Sequence, residues 1–133
     1  MGEVSFNYFA ILVCGVASII IAALWYGPLF GKKWMELVGL KPEDVEGGGK
    51  KEMFFAFIAY LVLAFVLSVY IDWANATTFL KGLCVGSQAW LIFSMITLPN
   101  FWFEQKKLGL FWVNSSYTLV SLLVMGVILA VWQ

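Results

Sequence analysis

Histidine and arginine occur nowhere in this chain of 133 residues. Their absence removes histidine-ligated haem, two-histidine zinc sites, Ser-His-Asp triads and arginine clamps on phosphate or carboxylate. Charge of either sign is scarce. Charged residues make up 12% of the chain and hydrophobic ones 62%, against roughly 25% charged in an ordinary soluble domain. A water-facing surface cannot be built from that composition. The eight lysines and eight acids cancel, so no net field marks a nucleic-acid partner, and that class is set aside. No acid lies in the middle of an apolar run, since Asp72 and Glu104 stand at run ends. Proton- or cation-coupled transport needs such a group to tie ion to substrate, and this chain alone lacks it. No metal site and no cofactor is expected.

What the chain has is long uncharged runs. Residues 4–31, 53–71, 82–103 and 108–133 carry no charge, and the shortest of these runs has 19 residues. A helix rising about 1.5 Å per residue crosses a hydrocarbon layer of about 30 Å in roughly 20 residues. All four runs can span, and we place the spans at about 7–27, 53–71, 80–102 and 110–132 of a single domain. β-Barrel strands would alternate in polarity, whereas these runs are continuously apolar. The first run lacks a basic start and is too long for a signal-peptide core, so a retained span is expected despite the small residues Ala22 and Ala23. The predicted fold class is therefore all-α, an integral membrane four-helix bundle.

Seven of the eight lysines fall in the first and third connections: Lys32, Lys33, Lys41, Lys50 and Lys51, then Lys106 and Lys107. Lysine-rich short loops stay in the cytoplasm, which predicts loops one and three inside and both termini external in a multi-pass protein of the cell (inner) membrane. Aromatic rings gather at the expected headgroup levels: Trp25, Tyr26, Trp34, Trp102 and Trp112 on one side, Tyr70, Trp73 and Trp132 on the other. Anchoring is their ordinary role.

Loop one, residues 28–52, is the one sizeable polar segment. Leu29, Phe30, Trp34, Leu37 and Val38 share a helical face, with Lys32, Lys33 and Glu36 interleaved, which predicts a short helix lying in the cytoplasmic interface. Pro42, Glu43 and Asp44 suit a first helical turn, and Gly47, Gly48 and Gly49 suit a flexible joint. No phosphate-loop pattern accompanies these glycines.

Spans in lipid associate through close packing and hydrogen bonds, so small residues are informative. Ala10, Cys14, Ser18 and Ala22 recur every four positions in span one; Gly82 and Gly86 form a G-x-x-x-G in span three; Gly126 and Ala130 match in span four. Three such faces on four helices leave one available for self-association. Cys14 and Cys84 fall at similar depth, but unpaired buried thiols are the ordinary reading.

The remaining polarity is uncharged. Thr97, Pro99 and Asn100 approach the end of span three, and residues 114–117 (Asn-Ser-Ser-Tyr) follow the start of span four. Antiparallel spans bring these to comparable depth, where they could face one another. They could serve as interhelical glue or, with Trp25, Tyr26, Trp34 and Glu104, as a ligand or partner site opening to the cytoplasm. Gln88 is expected to face the bundle, because an amide in hydrocarbon is costly without a partner. With Ser94 and Thr97 it is the candidate for a pore lining.

The string Leu24-Trp25-Tyr26-Gly27-Pro28-Leu29-Phe30-Gly31-Lys32-Lys33-Trp34 resembles the signature of a bacterial and archaeal membrane family catalogued as domain of unknown function 1761. Phe103-Glu104, residues 114–117 and residues 119–126 are similar to that family's C-terminal half. The resemblance implies a prokaryotic four-helix membrane protein and no particular activity. A histidine commonly follows the tyrosine of span four in that family, where this chain has Thr118, so a role resting on that histidine would not transfer.

The expectation is a non-catalytic accessory protein that binds membrane lipid or a protein partner through Trp25, Tyr26, Trp34, Asn100, Glu104, Asn114 and Tyr117. The alternative is a small homo-oligomeric channel or transporter for an uncharged or weakly charged solute, lined by Gln88, Ser94, Thr97 and Asn114. An enzyme with Glu104 as acid or base, assisted by Tyr117 or Ser116, ranks third for want of a nucleophile-base pair.

Overall fold

The computed structural model describes residues 6–39 and 50–132. Among these, every regular element is helical: α1 (Tyr8–Leu24), α2 (Gly31–Val38), α3 (Lys50–Trp73), α4 (Phe79–Phe103) and α5 (Leu108–Val131). A π-helical turn, Trp25–Leu29, joins α1 to α2. Pro28 inside it has no N–H to give, and the widened turn accommodates the missing bond. Four helices are long and apolar enough to cross a membrane: Tyr8–Leu29, Lys50–Trp73, Phe79–Phe103 and Leu108–Val131. The chain is thus an all-α bundle with the character of a membrane protein. α3 and α4 outrun the predicted spans at both ends, α1 lies within its span and α5 is offset from its own by one or two residues; α3 starts at Lys50, a turn ahead of the apolar run, because backbone hydrogen bonding does not stop where hydropathy does.

Caps fix several helix ends. The Asn7 side chain accepts from the Ala10 N–H at 3.1 Å and donates to the Trp132 carbonyl at 3.1 Å, tying the start of α1 to the end of α5. Thr78 caps α4 by accepting from the Lys81 N–H at 3.2 Å. Gly39 ends α2 at φ 86°, a left-handed position that glycine adopts without strain. The short helix predicted in loop one is present as α2, amphipathic as expected. The readings of residues 41–49 lie outside the described residues.

α5 is the central helix. Half of its apolar stretch is buried, against 17% in α3 and in α4. Its closest neighbour is α4, where a Cβ added at Gly82 would stand 2.6 Å from the Gly126 carbonyl oxygen, and one at Gly86 2.5 Å from that of Leu122. Only glycine lets the two backbones approach this far. α1 meets α5 through Cys14, whose thiol donates to the Met125 carbonyl at 3.8 Å, and through the Ser18 and Ser121 hydroxyls 2.8 Å apart. α3 closes on α1 and α5 through Ala64, Leu67 and Ile71, buried with Ala10, Ile11 and Met125. α3 and α4 barely touch.

Two expectations are corrected here. All three small-residue faces are consumed inside the bundle, because α5 takes up both the α1 stripe and the α4 glycines, so none is left over for self-association. Gln88 does not face the bundle; its side chain is exposed. Both cysteines are free, Cys14 buried and Cys84 exposed, on different faces.

Candidate functional site: a polar cleft between α3 and α4

Where α3 and α4 part, a cleft of about 400 Å³ opens beside α5. Its floor is polar: Asn114, Tyr117, Thr118 and Ser121 from α5, with Tyr26 from the π-helical turn. Tyr60 and Leu63 of α3 form one wall, Ala89 and Phe93 of α4 the other. Leu63 and Phe93 are also exposed on the outside of the bundle, so the cleft opens sideways between the two walls.

The hydrogen bonds of the floor are directional. The Tyr26 hydroxyl donates to Asn114 Oδ1 at 2.8 Å, and the Tyr117 hydroxyl donates to the Ser18 carbonyl of α1 at 3.0 Å. Thr118 donates to the Asn114 backbone carbonyl at 2.9 Å. With its oxygen occupied by Tyr26, Asn114 keeps two N–H donors on Nδ2 that no described residue accepts. Tyrosine rings complete the surface: Tyr26 lies 5.4 Å from Tyr117, and Tyr60 lies 6.2 Å from Tyr117, centroid to centroid. Among the described residues, none that lines the cleft is charged.

α2 closes the first-loop end. Trp34 packs edge-on against Tyr26 at 5.7 Å, and Leu37 lies against Gly109, where an added Cβ would come 3.1 Å from the leucine methyl. Trp25 donates its indole N–H to the Val113 carbonyl at 3.2 Å and packs on Phe30 at 5.1 Å. Trp25, Tyr26, Trp34, Asn114 and Tyr117 are therefore brought together by three elements: the π-turn, α2 and α5.

Asn100 and Glu104 are not part of this group. Asn100 is exposed on α4, and Glu104 pairs with Lys106 at 2.9 Å in the α4–α5 turn. The three pore candidates share no path. Ser94 is buried in the α4–α5 seam, 2.9 Å from the Ser115 hydroxyl, which also accepts from the Trp90 indole at 3.0 Å. Thr97 donates to the Phe93 carbonyl of its own helix at 3.0 Å, and Gln88 points outward. Neither Thr97 nor Asn100 hydrogen-bonds to residues 114–117: the Thr97 hydroxyl is spent on its own helix and Asn100 is exposed.

Tyr60, Thr118 and Ser121 line the cleft without having been singled out as site residues. Tyr60 carried a signal, a hydroxyl in the middle of an apolar run, where it must find polar company. Ser121 reads from sequence as one more small packing residue and gives no such sign.

A family model described as protein of unknown function (DUF1761) matches residues 9–130. No curated protein and no solved structure matches the chain.

Proposed function

This chain belongs to the DUF1761 family, and we propose that it is a non-catalytic, multi-pass protein of the cell membrane that holds a lipid in the cleft between α3 and α4. The carrying observation is the combination of a sideways opening with a polar, uncharged floor. A lipid reaches such a site within the bilayer, without crossing water. The free N–H donors of Asn114 call for an acceptor, and with no lysine among the described lining residues we take that acceptor to be a neutral one, such as the ester carbonyls of a glycerolipid. Leu63 and Phe93 then flank the chains. In the orientation set by the lysines, loops one and three are cytoplasmic, α2 lies in the inner interface, and the cleft sits in the inner half of the membrane.

Native mass spectrometry of protein extracted gently from its own membrane tests the binding. One lipid retained per chain, reduced about tenfold in Asn114→Leu by loss of its hydrogen bonds, is the expected result. Equal retention by both proteins, or none by either, overturns the reading. Orientation is tested separately in a background without native cysteines. A cysteine at Gly48 should resist an impermeant thiol reagent in intact cells, and one added after Gln133 should react. The reverse pattern would place the cleft in the outer half.

A further inference from the structure

Gln88 is a polar side chain in the middle of α4 that finds no partner among the described residues of the bundle; Asn100, close to the helix end, is another. Gln88 stands nine residues beyond Phe79, about 13 Å along the axis, and so close to the middle of a layer about 30 Å thick. The hydroxyl side chains of α4 all find partners: Ser87 donates to the Leu83 carbonyl at 2.8 Å, Thr97 to that of Phe93, and Ser94 pairs with Ser115. The Gln88 carboxamide has no partner among the described residues. At this depth an unpaired amide is costly, and lipid tails offer it nothing.

The surface around it is shaped for a neighbour. Gln88 borders a recess of about 300 Å³ whose other walls are apolar side chains including Leu67, Val85 and Ile92, with Tyr70 towards its end. Cys84 one turn before Gln88, and Leu91 and Met95 beyond it, are exposed along the same side of α4. The occupant must bring a polar group to mid-membrane. A second copy does so by symmetry, since a carboxamide has both donors and an acceptor, and two of them across a two-fold axis satisfy each other reciprocally.

We propose that the chain forms a symmetric homodimer through the exposed face of α4, with Gln88 of each protomer hydrogen-bonded to Gln88 of the partner subunit. The dimer does not rest on the lipid reading of the cleft. Small Cys84, one turn from Gln88 on the same face, lets the two α4 helices draw close.

The test is dissociation in liposomes, measured by energy transfer between labelled copies across a range of protein-to-lipid ratios. Wild type should dimerise, and Gln88→Leu should raise the dissociation constant about tenfold while melting like wild type in detergent; Gln88→Asn should fall between. Cys84 gives a second readout on the native chain. Oxidation with copper phenanthroline in membranes should link wild type and Cys14→Ser into dimers, leave Cys84→Ser unlinked, and link Gln88→Leu much less. A wild-type chain that stays monomeric at every ratio, or one that pairs with a different polypeptide, overturns the proposal. So does a dimer whose dissociation constant is unchanged in Gln88→Leu.

Discussion

The α4–α5 seam and the α3–α4 gap adjoin along the same helix and follow opposite rules. In the seam, Gly82 and Gly86 let α4 settle on the backbone of α5 until an added methyl would collide, and Ser94, Ser115 and Trp90 hydrogen-bond one another completely. Across the gap, Leu63 and Phe93 line the two walls of an open cleft, and Asn114 on its floor keeps donors to spare. In lipid, where apolar burial gives helices no reason to associate, shape and hydrogen bonding decide which pairs close. The pair with small residues closed; the pair with large ones stayed apart and kept a cleft.

The largest effect should come from spoiling the seam. Gly86→Val drives a side chain into the Leu122 carbonyl, and overpacking of this kind costs about 3 kcal/mol; a lowered melting temperature in detergent would show it, and an unchanged one would break the contrast. Filling the gap should act on binding and spare the fold. Leu63→Trp at the cleft wall is expected to reduce lipid retention about tenfold in native mass spectra, with stability held within about 0.5 kcal/mol. A smaller loss is expected for Ser18→Ala, which removes the hydroxyl pair with Ser121; about 0.6 kcal/mol is usual for an interhelical bond in a bilayer, measurable by steric trapping. Smallest of all, a maleimide should label Cys84 and spare Cys14 in the folded monomer held in detergent, without altering its stability.

Much of this architecture can be read from the chain. Charge-free runs announce the four long helices, and the interleaved lysines of residues 29–38 announce α2. The G-x-x-x-G of α4 marks a seam but does not say with which helix, because Gly126 is distant in sequence and meets Gly82 only once the hairpin forms. Of the candidate site, Trp25, Tyr26, Trp34, Asn114 and Tyr117 come together, whereas Asn100 and Glu104 do not. Composition treats Asn100 and Asn114 alike; the direction each faces is set by packing. For Gln88 the clue was present. The buried residues Gly82, Gly86 and Ser94 define the α5-facing side of α4, and at 100° per residue Gln88 falls about opposite their centre. The cost of a lipid-facing amide argued for burial; helical geometry argued against it and prevailed.

The few interactions between α3 and α4 also say how the cleft is hung. One wall belongs to the hairpin of α4 and α5, fused along its glycines, and the other to α3, which leans on α1. The molecule is a half-open book, its spine the line where α1 meets α5: the Cys14 thiol on Met125, Ser18 against Ser121, and Tyr117 on the Ser18 carbonyl. Changing the opening angle pivots the covers about that spine and breaks little at the fore-edge. Tyr117 is both a rivet in the spine and part of the floor on the inside page, so whatever rests in the cleft touches a residue that ties α5 to α1.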